Sequence, residues 1–129
     1  MDLMITSMAA IANGAIFLWL TWSVIAVRRR DGVVLGDNAD RALTKKIRGQ
    51  ANAAEQMPLA LILMGLIEVQ GGGGWVLGLL AAVFTIGRAM HGAYFAIPGL
   101  TFQLRFWGML DTLSAQAGLI VLLAWTVLG

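Results

Sequence analysis

Residues 48–58 read RGQANAAEQMP, and the apolar run LALILMGLI follows directly at residues 59–67. On a helix that turns by about 100° per residue, Arg48, Asn52 and Glu55 lie within about 60° of one another, so a cation, an amide and a carboxylate share one face. A charged side chain at membrane depth costs about 2.5–3.5 kcal/mol on insertion scales. This face is therefore expected to point into a helix bundle, a wet cavity or a ligand.

The composition is that of a membrane protein. Hydrophobic residues make up 59% of the 129 residues and charged residues only 12%, whereas soluble domains carry about 25% charged residues. The apolar segments match the roughly 20 helical residues that cross a bilayer core of about 30 Å. We expect a single all-α membrane domain of residues 1–129, whose four transmembrane helices cover residues 3–27, 40–69, 75–97 and 106–128.

The residue types that hold metals are scarce. The chain has no cysteine and one histidine, which excludes disulfides, thiolate metal sites and a cysteine nucleophile. No metal site is expected, because transition metals in proteins are held by clusters of histidine, cysteine and carboxylate side chains.

The basic residues are concentrated in one connection between two spans. Seven of the nine are Arg28, Arg29, Arg30, Arg41, Lys45, Lys46 and Arg48. The positive-inside rule then places the loop of residues 28–47 in the cytoplasm and both termini outside. This charge is a topology signal that meets anionic membrane lipid, and it does not indicate nucleic-acid binding.

The second predicted helix is about 45 Å long, which exceeds the hydrocarbon thickness. Its first turns must project into the cytoplasmic interface, with Asp37 or Asp40 as the expected N-cap. Two structural alternatives stay open for the polar face. Asn52 and Gln56 could act as interhelical hydrogen-bonding residues, and Arg48 could form an ion pair with Glu55.

A second polar cluster lies near the end of the third span, in GRAMHGAYF at residues 87–95. Arg88 and His91 are three positions apart and therefore neighbours on one helical face. Pro98 and Gly99 are expected to break this helix before a short turn that carries Arg105. A buried packing role for His91 and a topology role for Arg105 are the alternatives.

Three stretches of the chain together resemble the MAPEG family, the membrane-associated proteins in eicosanoid and glutathione metabolism. The first stretch follows the family pattern Arg-x-Gln-x-Asn-x-x-Glu-x-x-Pro at Arg48, Gln50, Asn52, Glu55 and Pro58. The second stretch is Arg88-x-x-His91 followed by an aromatic residue, and the third is Gln-Leu before Arg105.

The resemblance implies a homotrimer of left-handed four-helix bundles with glutathione bound between adjacent subunits near the cytoplasmic face. In that case Arg105 would activate the thiol. One of residues 28–30, taken as Arg28 because it lies at the end of the first helix, would come from the neighbouring subunit. The residues that the resemblance assigns to glutathione are Arg28, Arg48, Gln50, Asn52, Glu55, Arg88, His91 and Tyr94.

The two carboxylates of glutathione need cations, and its amine needs a carboxylate such as Glu55. Its thiol needs a group that stabilises the thiolate. The function that follows is a glutathione-dependent membrane transferase or peroxidase acting on lipophilic substrates. Two departures from the family pattern disfavour an eicosanoid-specific activity. Gln56 and Phe95 stand where the leukotriene and prostaglandin synthases, respectively, have a tyrosine.

Two other functions are compatible with the sequence. The first is a non-catalytic relative that binds glutathione or lipid. The second is a small multidrug-type transporter, which relies on a carboxylate in its first helix. Residues 3–27 contain none, although Glu55 could replace it from the membrane boundary. The short loops favour a bacterial inner membrane.

Overall fold

Four long helices account for almost the whole chain in the computed structural model, which describes residues 2–129. They are α1 (Met4–Asp31), α2 (Arg41–Val69), α3 (Gly74–Ala96) and α4 (Phe102–Leu128). All four are long and apolar enough to cross a membrane, which confirms the all-α prediction with four spans. Met1 lies outside the described residues. The single-domain organisation, the left-handed bundle and the trimer stay predictions.

Helix α1 continues further than predicted. It runs through the three arginines to Asp31 and ends at Gly32, which has a left-handed φ of 70° and donates its backbone N–H to the carbonyl of Arg28. Arginine is a good helix former, so residues 28–30 extend the helix instead of stopping it. Glycine ends it because it adopts positive φ without steric cost.

Helix α4 begins earlier than predicted, which changes the position of Arg105. Thr101 has an extended backbone, and its hydroxyl accepts a hydrogen bond from the backbone N–H of Gln103 at 3.4 Å. This N-cap starts the helix at Phe102. Arg105 is therefore in the first turn of α4, and the prediction that it lies in a turn before the helix was wrong.

The N-cap of α2 is Asp40, one of the two predicted. Its carboxylate accepts from the N–H of Ala42 at 2.8 Å and of Leu43 at 3.3 Å. Asp37 lies in the preceding loop, where its carboxylate accepts one hydrogen bond from the N–H of Ala39 and another from the hydroxyl of Thr44. These bonds hold the pKa of Asp37 below its usual value. The two carboxylates fix where α2 begins.

The packing is centred on α2 and α3, each of which contacts all three other helices. Helices α1 and α4 flank this pair and do not contact each other within the described part of the chain. The large side chains that are fully buried in the bundle are apolar with few exceptions, and they include Leu20, Met64, Ile67, Leu77, Phe84 and Leu119. The outer faces of α1 and α4 carry exposed apolar residues such as Leu18 and Trp125, as expected for surfaces that meet lipid or another subunit.

Helices α3 and α4 approach each other most closely at a pair of glycines. A Cβ atom added to Gly108 would lie 2.6 Å from the backbone nitrogen of His91 and 2.7 Å from the carbonyl oxygen of Gly87. A Cβ added to Gly87 would lie 2.8 Å from the carbonyl oxygen of Gly108. Small residues are what allow two membrane helices to approach backbone to backbone. This contact places Arg88 and His91 directly beside α4.

At the other end of the bundle, Glu68 of α2 joins α2 to the start of α1. Its two carboxylate oxygens accept from the backbone N–H groups of Ile5 at 2.9 Å and Thr6 at 2.8 Å. The first N–H groups of a helix have no partner within that helix. Glu68 therefore supplies, from another helix, the acceptors that an N-cap side chain would provide.

Replacing Glu68 with glutamine should lower the thermal unfolding temperature by about 3–6 °C, since only one of the two oxygens is kept and its charge is lost. Circular dichroism in a single detergent would measure it. The control is Gln70→Ala, because that exposed amide bonds only to the Leu66 carbonyl of its own helix. Equal unfolding temperatures for the two variants would contradict this role of Glu68.

Candidate functional site

A cavity of about 610 Å³ opens between α2, α3 and α4, at the end of the bundle where α2 and α4 begin and α3 ends. From α2 and α3 it is lined by Arg48, Asn52, His91 and Phe95. From α4 it is lined by Phe102, Arg105, Phe106, Met109, Leu110 and Leu113. Four residues that the sequence indicated, Arg48, Asn52, His91 and Arg105, thus line one cavity.

Arg105 is positioned by two aromatic rings. The carbon of its guanidinium lies 5.5 Å from the ring centroids of both Phe95 and Phe102. A cation over an aromatic face at this distance is attracted to the ring while its N–H groups stay available. Arg105 is exposed, so its guanidinium can meet a ligand that enters the cavity.

Arg88 lies behind the cavity wall instead of lining it, with 2% of its surface exposed. One terminal nitrogen donates to Oδ1 of Asn52 at 2.6 Å, and Nε donates to the hydroxyl oxygen of Thr112 at 2.9 Å. The Thr112 hydroxyl in turn donates to the carbonyl of Gly108 at 2.7 Å. Arg88 therefore links α2, α3 and α4 around the cavity.

The bond from Arg88 determines which atom Asn52 presents to the cavity. An arginine has only donors, so the atom of Asn52 that it contacts must be the amide oxygen. The amide nitrogen is left for the cavity, as a donor with two N–H groups. Asn52 therefore favours a ligand that offers an acceptor, such as a carboxylate or a peptide carbonyl.

The arginines around the cavity are not neutralised by carboxylates. Within residues 2–129 the only ion pair is Arg30 with Asp31, at 2.9 Å and on the surface. The alternative of a structural ion pair between Arg48 and Glu55 is thus absent. Two guanidinium groups, those of Arg48 and Arg105, line this space without a carboxylate within bonding distance, and that of Arg88 lies behind its wall, so the cavity suits an anion.

His91 and Phe95 form the α3 wall. Their ring centroids are 4.8 Å apart, and His91 is buried apart from the face that lines the cavity. Phe95 also rests against α2, because a Cβ atom at Gly49 would overlap its side chain. Phe95 makes the α3 wall apolar beside Arg105.

The remaining predicted residues lie outside the cavity in the single chain. Arg28 donates to the carbonyl of Gly36 in its own loop at 2.7 Å, and Gln50 contacts the Thr21 hydroxyl at 3.4 Å. Glu55 is exposed on the outer face of α2, one turn beyond Asn52. The structure does not bring these residues to the cavity within one subunit.

Tyr94 does not line the cavity, but its ring packs edge-on against Phe95 and Phe102, which do, with ring centroids 5.1 and 6.1 Å apart. Its ring lies 3.8 Å beneath the ammonium nitrogen of Lys45. The next residue, Lys46, donates to the carbonyl of Ala96 at 2.5 Å and so caps the end of α3. Within one chain, Tyr94 therefore belongs to a contact that holds α3 against α2.

Sequence reasoning missed the α4 residues of the site, above all Thr112 and Met109. Their spacing could have identified them, because positions four and seven residues after Arg105 lie on the same helical face. The earlier start of α4 at Phe102 was needed to recognise Arg105 as the first member of that face.

Comparison with known proteins agrees with this architecture. The chain matches the MAPEG family over residues 6–125. It is also similar to inner membrane protein YecN of Escherichia coli (strain K12), with 27% identity over 122 residues that cover 95% of this chain and 92% of that protein. YecN of Escherichia coli O6:H1 shows the same identity and coverage. The protein is therefore a four-span membrane protein that belongs to the MAPEG family.

Proposed function

We propose that the protein is a glutathione-dependent transferase or peroxidase that acts on lipophilic substrates at the cytoplasmic face of a bacterial inner membrane. The observation that carries this proposal is the cavity with arginines that lack carboxylate partners. Glutathione is a small peptide with two carboxylates, and arginine binds a carboxylate with two parallel N–H bonds. Family membership supports the same class of ligand.

The cavity offers complementary groups for such a peptide. Arg48 supplies a cation from α2, and the amide nitrogen of Asn52 supplies donors for a carboxylate or a peptide carbonyl. Arg105 is the cation on α4, held between two phenyl rings. We assign carboxylate binding to Arg48 and thiolate stabilisation to Arg105.

The thiol chemistry follows from charge stabilisation. A free thiol has a pKa of about 8.5, and each unit by which that pKa falls requires about 1.4 kcal/mol of preferential binding of the thiolate. A guanidinium beside the sulfur supplies such binding, most strongly where water is partly excluded. The thiol proton leaves to solvent, and the thiolate becomes the nucleophile.

The far wall of the cavity suits a lipophilic second substrate. Phe106, Leu110 and Leu113 of α4 line it and are also exposed on the outside of the bundle. In a transferase reaction the thiolate forms a bond to an electrophilic carbon, and the leaving group departs with the bonding electrons. In a peroxidase reaction two glutathione molecules reduce a hydroperoxide to an alcohol and water and become a disulfide.

A homotrimer would complete this site. Glu55 is exposed on α2 one turn beyond Asn52, where a lone carboxylate facing lipid is costly. In the proposed assembly a neighbouring subunit covers that face. Glu55 then meets the amine of glutathione, and Arg28 reaches the ligand from the neighbour.

The test is glutathione turnover by the detergent-solubilised protein, with chlorodinitrobenzene as the electrophile and cumene hydroperoxide as the oxidant. Glutathione at 100 times its dissociation constant should also stabilise the fold by about 2.7 kcal/mol. Stabilisation without turnover would identify the non-catalytic, glutathione-binding alternative. Neither stabilisation nor turnover would overturn the proposal.

Arg88 should matter for affinity without touching glutathione. Arg88→Lys keeps the charge but loses the fork that joins Asn52 to Thr112, so KM for glutathione should rise about tenfold while kcat changes little. Thr112→Val, which removes only the partner of Nε, should produce a smaller rise. Steady-state kinetics measure both. A fall in kcat with KM unchanged would contradict a positioning role.

A further inference from the structure

Asp111 of α4 is a carboxylate inside a membrane-spanning helix that the glutathione chemistry does not use. Trp107 is one turn nearer the start of α4 and half exposed, and tryptophan is typical of the membrane–water interface. Asp111 lies about 6 Å further along the helix. The exposed Trp125 lies about 27 Å from Trp107 along the same helix. Asp111 is therefore in the hydrocarbon region, near the end of the bundle where α4 begins.

The carboxylate of Asp111 has no partner in the described part of the chain. Within residues 2–129 the only ion pair is Arg30 with Asp31, and the oxygens of Asp111 accept no hydrogen bond. The unbonded side-chain oxygens that are fully buried belong to Thr6 and Asn13. Asp111 is only partly buried, so its oxygens can be reached from outside. A charge at membrane depth normally has a partner, and for Asp111 that partner must come from outside the chain.

Helical geometry places Asp111 on the flank of α4 that is turned away from α2. Met109, which lines the cavity with Arg48 and Arg105, is about 160° from Asp111 around the helix. Gln116, which donates to a backbone carbonyl of α2, is about 140° away. In the proposed trimer the neighbouring subunit covers α2, on the opposite flank. The flank with Asp111 therefore stays open to lipid.

An apolar groove follows the same flank, between α3 and α4. Asp111 lies at this contact, because a Cβ atom added to Gly87 of α3 would lie 2.9 Å from its Cβ. The groove has a volume of about 480 Å³, and its lining includes Leu80, Gly118 and Leu122. Gly118 and Leu122 are within about 20° of Asp111 around α4 and lie about 10–17 Å beyond it along the axis. The carboxylate and the groove are thus in line.

We infer that Asp111 and this groove bind a single-chain amphiphile with a primary ammonium head. The ammonium pairs with the carboxylate, and the alkyl chain lies along the groove towards Trp125. A primary amine is protonated at neutral pH, and hydrogen bonds between oppositely charged groups are the strong ones. Phosphatidylethanolamine also has an ammonium, but its phosphate would bring a second negative charge beside Asp111. The occupant is therefore a simple long-chain amine, and its binding does not depend on glutathione chemistry.

The experiment measures saturable binding of radiolabelled hexadecylamine to the protein in phosphatidylcholine nanodiscs at neutral pH, with empty nanodiscs as the background. Hexadecanol is the matched competitor, because it has the same chain and a neutral head. The amine should saturate at about one molecule per chain. Hexadecanol should compete at least about tenfold more weakly than unlabelled amine, which is the effect of one hydrogen bond between charged groups.

Three variants locate the site. Asp111→Asn keeps the shape of the side chain and removes its charge, so the affinity for hexadecylamine should fall at least about tenfold. Ala117 is exposed and lines the groove, so Ala117→Phe should fill the groove and also weaken binding. The control is Ala82→Phe, because Ala82 is exposed in a different groove, between α1 and α3. That variant should bind like wild type.

Several results would overturn the inference. They are equal affinities of wild type and Asp111→Asn, equal competition by amine and alcohol, unchanged binding in Ala117→Phe, and equal losses in Ala117→Phe and Ala82→Phe. Competition by phosphatidylethanolamine as strong as by unlabelled amine would identify a phospholipid headgroup as the occupant instead. Light scattering should show the same oligomeric state for wild type and Asp111→Asn. A smaller assembly of the variant would mean that Asp111 pairs with a cation of a second copy of the chain, and not with an amine.

Discussion

Arg105→Ala is expected to lower glutathione turnover about 100-fold at pH 7 while changing the affinity for glutathione less than about threefold. A loss of 100-fold corresponds to about 2.7 kcal/mol of transition-state stabilisation, part of which is the higher pKa of the bound thiol in the variant. This magnitude is reasonable for a guanidinium held between Phe95 and Phe102 at a partly dehydrated cavity.

The pH profile distinguishes this role from simple binding. Without the guanidinium, the thiol of bound glutathione should ionise near its free pKa of about 8.5. The rate of the variant should therefore keep rising with pH through that value, whereas the wild-type rate should level off at lower pH. Steady-state rates between pH 6 and pH 9.5 measure the difference.

Arg48→Ala is the matched control, because it removes a cation from the same cavity on a different helix. It should raise KM for glutathione and leave the shape of the pH profile unchanged. If Arg105→Ala and Arg48→Ala gave equal losses in kcat with identical pH profiles, thiolate stabilisation could not be assigned to Arg105.

The second large effect is expected at the contact between α3 and α4. Gly108→Val would place side-chain atoms against the backbone of His91 and Gly87, where even a Cβ would be within 2.7 Å. Backbone atoms of two packed helices cannot move aside as a flexible side chain can. Overpacking costs about 1–3 kcal/mol or more, so the thermal unfolding temperature should fall by at least about 5–15 °C.

The control for this change is Gly78→Val on α3. A Cβ atom there meets nothing within 4 Å, and both variants place the same β-branched residue in a helix. Circular dichroism on heating measures the unfolding temperature, and glutathione turnover below that temperature reports on the site. An unfolding temperature of Gly108→Val equal to that of Gly78→Val would show that α3 and α4 do not approach as closely as described.

The sequence predicted the number of spans and the α2 face of the site. Apolar segments of about 20 residues indicate four helices, because a helix of that length crosses the bilayer core and pairs its own backbone groups there. Helical periodicity alone puts Arg48 and Asn52 on one face. The family pattern identified His91 and Arg105 as members of the same site, and the structure places all four around one cavity.

Helix ends were less predictable, because short-range chemistry overrides apolar length there. The arginines after residue 27 are charged, yet they continue α1 since arginine favours helix and only Gly32 adopts the positive φ that ends it. Likewise Thr101 begins α4 before the apolar run does. Because α4 begins at this cap, Arg105 lies in a helix and not in the predicted turn.

What the amino-acid sequence determined by itself is a four-span membrane chain with an arginine and amide face on its second helix, because span length and helical periodicity are local properties. Only the tertiary structure decided which polar groups meet a ligand. The contact of Gly87 with Gly108 places α4 close enough for Arg88 to be buried against Asn52 and Thr112, whereas Glu55, on the same face of α2, stays outside. Such choices depend on which helix faces which, and periodicity within one helix carries no information about its neighbour.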